Sequence, residues 1–177
     1  MADHADFEQF VLVHLDAGYN LARWLARDVQ DAEDVLQEAC MRAMKYIGSM
    51  HGGDGRAWFL TIVRRAFYDW VARNRPALLV HDDEALASAQ DLADGPQEAL
   101  ARKTVQRTLA QALASLPLPF REVIVLRELE ELTYKEIARI VDIPIGTVMS
   151  RLSRARRLLQ ETPALQAIAP GAGGGAP

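Results

Sequence analysis

The sequence predicts an all-α protein made of two small helical domains joined by a flexible acidic linker. Apolar residues recur at helical spacing through most of the 177 residues, and no segment has the pattern of a β-strand. Half of the residues are hydrophobic, which is enough for a buried core. The helical pattern fails between residues 76 and 99, where an acidic run at residues 82–84 lies among alanines. We therefore expect domains at residues 5–75 and 100–162, a linker at 76–99 and a disordered tail at 163–177.

The composition argues against several classes of protein. The only cysteine is Cys40, so no internal disulfide can form, as in proteins of the reducing cytoplasm. No stretch approaches the roughly 20 apolar residues of a membrane span, and the acidic start at residues 1–6 is unlike a signal peptide. No nucleophile–base pair, metal-ligand set or cofactor loop appears, so we expect neither an enzyme nor a cofactor. The net charge of −4 argues against a general nucleic-acid coat protein, and we expect a cytoplasmic protein without membrane insertion.

Two short helices joined by a tight turn are predicted between residues 132 and 159. Thr133 and Glu136 have the spacing of a capping box, which places the start of the first helix at Thr133. Pro144 ends that helix, because the residue before a proline is disfavoured in the α region. The second helix is predicted to begin near Ile145 and to carry an apolar stripe on one side.

The side of this second helix opposite its stripe carries small polar residues and arginines. Arginine pairs with guanine edges or phosphates, and small residues allow close approach to the major groove. The pattern favours a helix-turn-helix that reads duplex DNA over the alternative, a plain helical hairpin with a solvated basic face. The residues predicted to contact DNA, on that side and at its flanks, are Thr147, Met149, Ser150, Arg151, Ser153, Arg154 and Arg157.

An acidic helix is predicted between residues 28 and 47. Its acids lie in the first turns, and Arg42 and Lys45 lie in the last, an order that the helix dipole alone explains. The dipole does not explain the apolar and amide side chains beside the acids, so this surface is also a candidate dock for a basic partner helix. A Mg²⁺ site is disfavoured, because no second carboxylate cluster faces this one at a recognisable spacing. The predicted outward residues are Asp31, Asp34, Gln37, Glu38 and Met41.

A helix rich in arginine and aromatic residues is predicted from Arg56 to about Arg75. Phe59 and Trp70 lie on its apolar side and are expected in the core. Arginines beside an exposed aromatic ring hold phosphates and stack unpaired bases. The alternative is a solvated basic edge over core aromatics, and this window alone does not decide between the two. The residues predicted to hold single-stranded nucleic acid include Arg56, Arg64, Arg65 and Tyr68.

Taken in order, these segments resemble a bacterial sigma-70 family RNA polymerase sigma factor of the small extracytoplasmic-function (ECF) group. Residues 31–39 are similar to the family's region 2 signature, and residues 56–65 are similar to the segment that follows it. Residues 116–123, 132–138 and 143–151 are similar to region 4. The resemblance covers about residues 7–160, and its motifs are specific as an ordered set.

The resemblance implies three interfaces and two further properties. Region 2 binds the β′ clamp helices of core RNA polymerase, here through the five outward residues of the acidic helix. Region 4 reads the minus-thirty-five promoter element through the seven residues of the second helix named above. The segment after region 2's signature opens and reads the minus-ten element, here through Met50, His51, Arg56, Arg64, Arg65 and Tyr68. The two further properties are that the linker threads the RNA path of the polymerase and that an anti-sigma factor is a partner.

The chain departs from common family residues at two of these positions. Lysine or arginine is frequent where this chain has Met149, and asparagine is frequent where it has Arg65. The first departure concerns the upstream contacts, and the second concerns the base preference at the minus-ten element.

Two functions therefore stay open. The resemblance predicts a sigma factor that binds core RNA polymerase and directs promoter recognition, DNA melting and transcription initiation at a specific regulon. The alternative is a stand-alone helix-turn-helix transcriptional regulator, which predicts duplex binding without polymerase. A third class, a helical adaptor without DNA contact, does not explain the arginines of the predicted second hairpin helix or those of the helix from Arg56 to about Arg75.

Overall fold

The computed structural model describes residues 2–50, 52–79 and 100–168, with the side chains of residues 4–50, 52–79 and 103–168. These ranges contain helices and no strand, which confirms the predicted all-α class. His51, most of the predicted linker and the end of the tail lie outside them. The first domain contains α1 (Ala2–Phe10), α2 (Leu15–Ala26), α3 (Val29–Tyr46) and α4 (Gly55–Asn74). The second contains α5 (Leu100–Ser115), α6 (Leu118–Ile124), α7 (Tyr134–Val141), α8 (Ile145–Gln160) and α9 (Pro163–Ile168). Shorter helical turns lie at Leu12–His14, Ile47–Ser49, Pro76–Leu79 and Val125–Leu129.

Helices α2, α3 and α4 pack against one another and form the core of the first domain. The side of α3 that faces this core is made of small residues, including Ala32, Ala39 and Ala43, which are fully buried and allow the helices to approach closely. Side-chain caps fix where α3 and α4 begin. Asp28 accepts a hydrogen bond from the Asp31 amide at 3.0 Å, and Asp54 accepts one from the Arg56 amide at 3.0 Å.

Gly18 lies inside α2, although a glycine in this pattern predicts a helix break. The interruption occurs earlier, at the turn Leu12–His14. A Cβ atom at residue 18 would lie 2.6 Å from Cε1 of Phe59, and Phe59 is itself fully buried. Gly18 therefore allows α2 to pack closely on α4, and it does not end a helix.

Gly18→Ala is expected to destabilise the protein. Overpacking a filled core costs about 1–3 kcal/mol, which exceeds the gain of up to about 1 kcal/mol from replacing a helical glycine by alanine. Gly48→Ala is the matched control, because nothing lies within 4 Å of a Cβ atom at residue 48. Urea denaturation monitored by circular dichroism gives the unfolding midpoints of the Gly18→Ala and Gly48→Ala variants. A Gly18→Ala midpoint equal to the wild-type midpoint would contradict the packing role.

The helical hairpin predicted in the second domain is present. The Thr133 hydroxyl accepts a hydrogen bond from the Glu136 amide at 3.3 Å, while Glu136 Oε2 accepts one from the Thr133 amide at 2.6 Å. This reciprocal capping box confirms the predicted start of α7. Asp142 adopts a left-handed conformation with φ 58°, so α7 ends before Pro144 as predicted. The buried stripe of α8 is Val148, Leu152 and Ala155.

The two domains pack against each other, which the sequence does not predict. Helix α4 contacts α7, and α2 contacts α6. As a result α4 is buried on two sides. Its expected stripe includes Phe59 and Trp70, and a second row lies about 100° further round the helix. That second row is Leu60, Phe67 and Val71.

The tail was expected to be disordered from residue 163, but its first residues form helix α9. Pro163 occupies the first helical position, where its fixed φ suits a helix start. The Thr162 carbonyl accepts hydrogen bonds from the amides of Leu165 at 3.0 Å and Gln166 at 3.1 Å. Residues 163–168 therefore extend the second domain and pack against α5 and α8.

Candidate nucleic-acid interface

The predicted DNA-reading side of α8 is largely open. Its apolar stripe is buried against the rest of the second domain, so the polar side faces outward. Thr147 and Arg151 are half-buried at its edges. The exposed members of the predicted set are Met149, Ser150, Ser153, Arg154 and Arg157.

The arginines on this side differ in how they are held. The Arg154 guanidinium lies 5.6 Å from the centroid of the Phe120 ring, a cation–π contact that orients the side chain. Arg157 lies 3.8 Å from Glu161 in an exposed ion pair, which contributes little energy and readily yields to a phosphate. Arg156, which was not predicted to contact DNA, pairs with Glu128 at 2.7 Å within the second domain.

Most of the predicted polymerase-binding residues of α3 line one shallow groove of about 340 Å³. The other wall comes from α4, through Trp70, Arg73 and Asn74. Arg42 joins the two helices, because it donates hydrogen bonds to Glu38 at 2.9 Å and to Asp69 at 2.6 Å. The residues of the predicted set that line the groove are Asp34, Gln37, Glu38 and Met41.

Asp31 is the exception in that set. Its side chain is 14% exposed and lies 2.9 Å from Arg75, so it faces the end of α4 and not the groove. Burial raises the pKa of Asp31, and the Arg75 cation opposes that rise. The prediction that Asp31 lies on the outward side is therefore wrong, because Arg75 holds it against the first domain.

The predicted single-strand residues of α4 mostly face the second domain. The Arg64 side chain is 19% exposed, and Arg56 and Tyr68 are half-buried. Arg65 is exposed, and Met50 is half-buried. The Arg64 guanidinium lies 4.5 Å from the centroid of the Tyr68 ring, so cation and ring already form one unit.

Two glutamates of the second domain cover the Arg64–Tyr68 pair and Arg56 on the same helix. Glu122 accepts hydrogen bonds from Arg64 Nε, from Arg64 Nη2 at 3.4 Å and from the Tyr68 hydroxyl at 3.3 Å. Glu130 Oε2 accepts a hydrogen bond from Arg56 Nη2 at 2.7 Å, and the Glu130 carbonyl accepts another at 2.7 Å. We call these five residues the domain seam.

Burial dominates the electrostatics of the seam. It raises the pKa of Glu122, while Arg64 and the Tyr68 hydroxyl oppose the rise. Burial and the Glu122 carboxylate together raise the pKa of Tyr68, so its hydroxyl stays protonated and donates. Burial lowers the pKa of the adjacent Arg121 to about 10, which leaves it charged at neutral pH. Arg121 Nη2 donates to the Leu25 carbonyl at 3.3 Å and so adds a further bond between the domains.

Comparison with known proteins decides between the functions left open. Sigma-70 region 2 matches residues 10–76, and Sigma-70, region 4 matches residues 103–159. The RNA polymerase sigma-H factor of Pseudomonas aeruginosa is 32% identical, and the match covers 90% of this chain and 86% of that protein. The ECF RNA polymerase sigma factor SigW of Bacillus subtilis is 30% identical, with coverage of 90% and 89%.

The chain belongs to the ECF group of the sigma-70 family. The solved structure of the sigma factor RpoE from Bartonella quintana, in complex with the anti-sigma factor NepR, agrees with this. It is 28% identical with a TM-score of 0.64, and the match covers 91% of this chain and 97% of that one. The protein is thus a sigma factor that directs promoter use, and the interpretation as a stand-alone regulator is wrong. Sigma factors are transcription initiation factors and not enzymes.

Sequence reasoning missed the residues of this sigma factor that cover α4. Glu122 lies next to Arg121 in an otherwise apolar run, residues 120–126, and such an isolated charged pair was the available signal. The sequence also predicted that Trp70 lies in the core, whereas Trp70 is half-buried and lines the groove between α3 and α4. No local signal marked Glu130.

Within the described ranges, no group of three or more histidine, cysteine or acidic side chains is arranged to hold a metal ion. None of the described helices combines the length and apolar character needed to cross a membrane.

Proposed function

We propose that this sigma factor divides its task among three surfaces. The groove between α3 and α4 binds the β′ clamp helices of core RNA polymerase. Helix α4 opens and reads the minus-ten element, and α8 reads the minus-thirty-five element. The observation that supports this division best is that the α8 face and the groove are both open and lie on different domains.

For the minus-thirty-five element, the exposed arginines of α8 supply contacts to guanine edges and phosphates. Met149 is 53% exposed on the same side. An apolar side chain there contacts a thymine methyl group, whereas the lysine or arginine common in the family would contact phosphate or guanine. We therefore expect thymine to be favoured opposite Met149.

For the minus-ten element, Arg64 and Tyr68 provide a platform for an unpaired base once Glu122 no longer covers them. A base that leaves the duplex stacks on the ring while the guanidinium holds the adjacent phosphate. Melting then draws on binding energy alone, because captured bases no longer return to the duplex. Arg56 and Arg65 extend the positive surface along α4.

For core polymerase, the groove combines carboxylates with the exposed thioether of Met41. Acids with an apolar centre suit a basic partner helix that also carries apolar residues. Arg42 keeps Glu38 in place, so the carboxylate is ordered before the partner arrives. The walls from α4 make the shape of the groove depend on the packing of α3 against α4.

Asp34→Lys is expected to weaken binding to core polymerase by about tenfold or more, the range in which central interface residues act. Glu33→Lys is the matched control, because Glu33 is the exposed neighbour on the same helix but does not line the groove. Adding Glu38→Lys to Asp34→Lys should weaken binding further. Competition for core polymerase by fluorescence anisotropy measures all three. Equal losses for Asp34→Lys and Glu33→Lys would count against the groove.

Two further properties belong to the same proposal. An anti-sigma factor is expected as a partner, and the complex of RpoE with NepR supports this. We also expect the protein to act in the cytoplasm, where core polymerase is found, and to have no catalytic activity of its own.

A further inference from the structure

The described methionines of this protein lie at its surface and not in its core. Methionine is among the residue types most often buried in folded proteins. Here the buried apolar core of the described ranges is built from leucine, valine, isoleucine, alanine and phenylalanine, without a methionine. Met41, Met44 and Met149 are 58%, 60% and 53% exposed, and Met50 is half-buried. A chemical change at the exposed thioethers therefore alters surfaces and leaves the core packing intact.

Two of the exposed methionines lie in the surfaces proposed to bind polymerase and promoter. Met41 lines the groove between α3 and α4. Met149 lies on the open side of α8, at a position where lysine or arginine is frequent in the family. Met44 lies on the same helix as Met41 but does not line the groove. Met44 is therefore as open to solvent as the other two, without belonging to either binding surface.

The single cysteine is a poorer target for an oxidant than these thioethers. Cys40 is half-buried, and burial raises the pKa of its thiol, so the thiol stays protonated at neutral pH. The thiolate is the reactive form of cysteine, and susceptibility to oxidation follows thiolate character and exposure. A thioether carries no proton and reacts without ionising. The exposed methionines are therefore the accessible sulfur atoms of the described chain.

We infer that Met41 and Met149 are sites of reversible oxidation to methionine sulfoxide, through which a hypohalous acid lowers the activity of the free sigma factor. This inference rests on the proposed roles of the groove and of α8. The thioether sulfur displaces hydroxide from the chlorine of hypochlorous acid. Water then displaces chloride from the sulfur and loses two protons, one of which neutralises the hydroxide. Sulfur loses two electrons, and the chlorine gains them and leaves as chloride.

The sulfoxide is polar where each surface presents an apolar side chain. In the groove, the new oxygen enters the apolar contact with the partner helix, which costs affinity unless a donor meets it. On α8, the contact between Met149 and a thymine methyl group is lost. A methionine sulfoxide reductase reverses both changes, because it returns two electrons from thiols and releases the oxygen as water. Bound core polymerase covers Met41, so the oxidant acts on the chain before assembly.

Oxidation of the free chain with a few equivalents of hypochlorous acid tests the inference, with peptide mass spectrometry to measure the sulfoxide at each methionine. In competition for core polymerase by fluorescence anisotropy, the oxidised chain should bind about fivefold more weakly or worse. Methionine sulfoxide reductase with dithiothreitol should restore binding. Met41→Leu has a similar volume and cannot form the sulfoxide, so it should keep its own untreated affinity after oxidation. Met44→Leu is the matched control and should lose affinity as the wild-type chain does.

The Met41→Leu background isolates the effect at Met149. After oxidation, holoenzyme formed with this variant should bind promoter duplex about fourfold more weakly in a gel shift, the effect of one lost apolar contact of methyl size. Adding Met149→Leu should remove the effect of the oxidant. Met41→Gln tests the groove without an oxidant, because glutamine is close to the sulfoxide in length and polarity, and it should reproduce the loss of core binding. Circular dichroism checks the fold of each protein.

The contrary outcomes separate this oxidation from the proposed function. If Met41 and Met149 stay reduced while Met44 is oxidised, the inference is overturned and the proposed function stands. Oxidised Met41 with unchanged core binding also overturns it, and Asp34→Lys then shows whether the groove itself is the interface. Protection by Cys40→Ala, without protection by Met41→Leu, would assign the response to the thiol and overturn the role of the methionines.

Discussion

Arg64→Ala, Arg65→Ala and Tyr68→Ala are expected to impair promoter opening more strongly than they impair duplex binding by the holoenzyme. Stacking of an unpaired base contributes about 1–3 kcal/mol, and each 1.4 kcal/mol is a factor of about ten in an equilibrium constant. Loss of the Tyr68 ring should therefore shift the melting equilibrium by about tenfold or more. Duplex binding should change little, because α8 and the polymerase supply most of it.

Permanganate footprinting of the holoenzyme measures this effect, because it reports unpaired thymines. Tyr68→Phe is the informative control, since it keeps the ring and removes only the hydroxyl that donates to Glu122. It should open promoters like the wild-type protein. Normal thymine reactivity in all three alanine variants would refute the assignment of α4 to melting.

The second large effect is expected at α8. A single recognition module buries only about 600–1,000 Å² of protein surface, and the acids elsewhere on the chain repel phosphate. The free protein should therefore bind promoter duplex weakly at physiological salt. With core polymerase, specific binding should appear, and Arg154→Ala should reduce it by about 1–3 kcal/mol if Arg154 pairs with a guanine.

Arg156→Ala is the matched control for this prediction. Arg156 is an exposed arginine on the same helix, but it pairs with Glu128 and does not belong to the predicted reading face. Gel shifts on one promoter duplex, with and without core polymerase, compare the two variants. Equal losses in both variants would mean that α8 contributes charge and not a specific contact.

Local chemistry made the second domain predictable. Thr133 and Glu136 cap a helix through hydrogen bonds between near neighbours, and Pro144 restricts the residue before it, so both boundaries of α7 follow from short stretches of sequence. The open face of α8 followed from one apolar stripe at helical spacing. For the same reason most of the α3 groove residues were found.

Contacts between distant segments were not predictable in this way. Glu122 bonds Arg64 across 58 positions of sequence, and Glu130 bonds Arg56 across 74. Periodicity assigns one apolar side to a helix, whereas α4 is buried on two because the second domain packs on it. Asp31 was misplaced because Arg75, at the far end of α4, holds it. The role of Gly18 was not predictable either, because it depends on contact with the Phe59 ring of another helix.

Run-off transcription with purified core RNA polymerase on genomic fragments tests the central claim most directly. The claim is that the chain directs polymerase to promoters through α8 and α4. We predict transcripts from a small set of start sites that appear only when the chain is added, that share sequences near positions −35 and −10, and that Arg154→Ala and Tyr68→Ala both diminish. Tight sequence-specific duplex binding by the free chain, with no transcript beyond that of core polymerase alone, would contradict it.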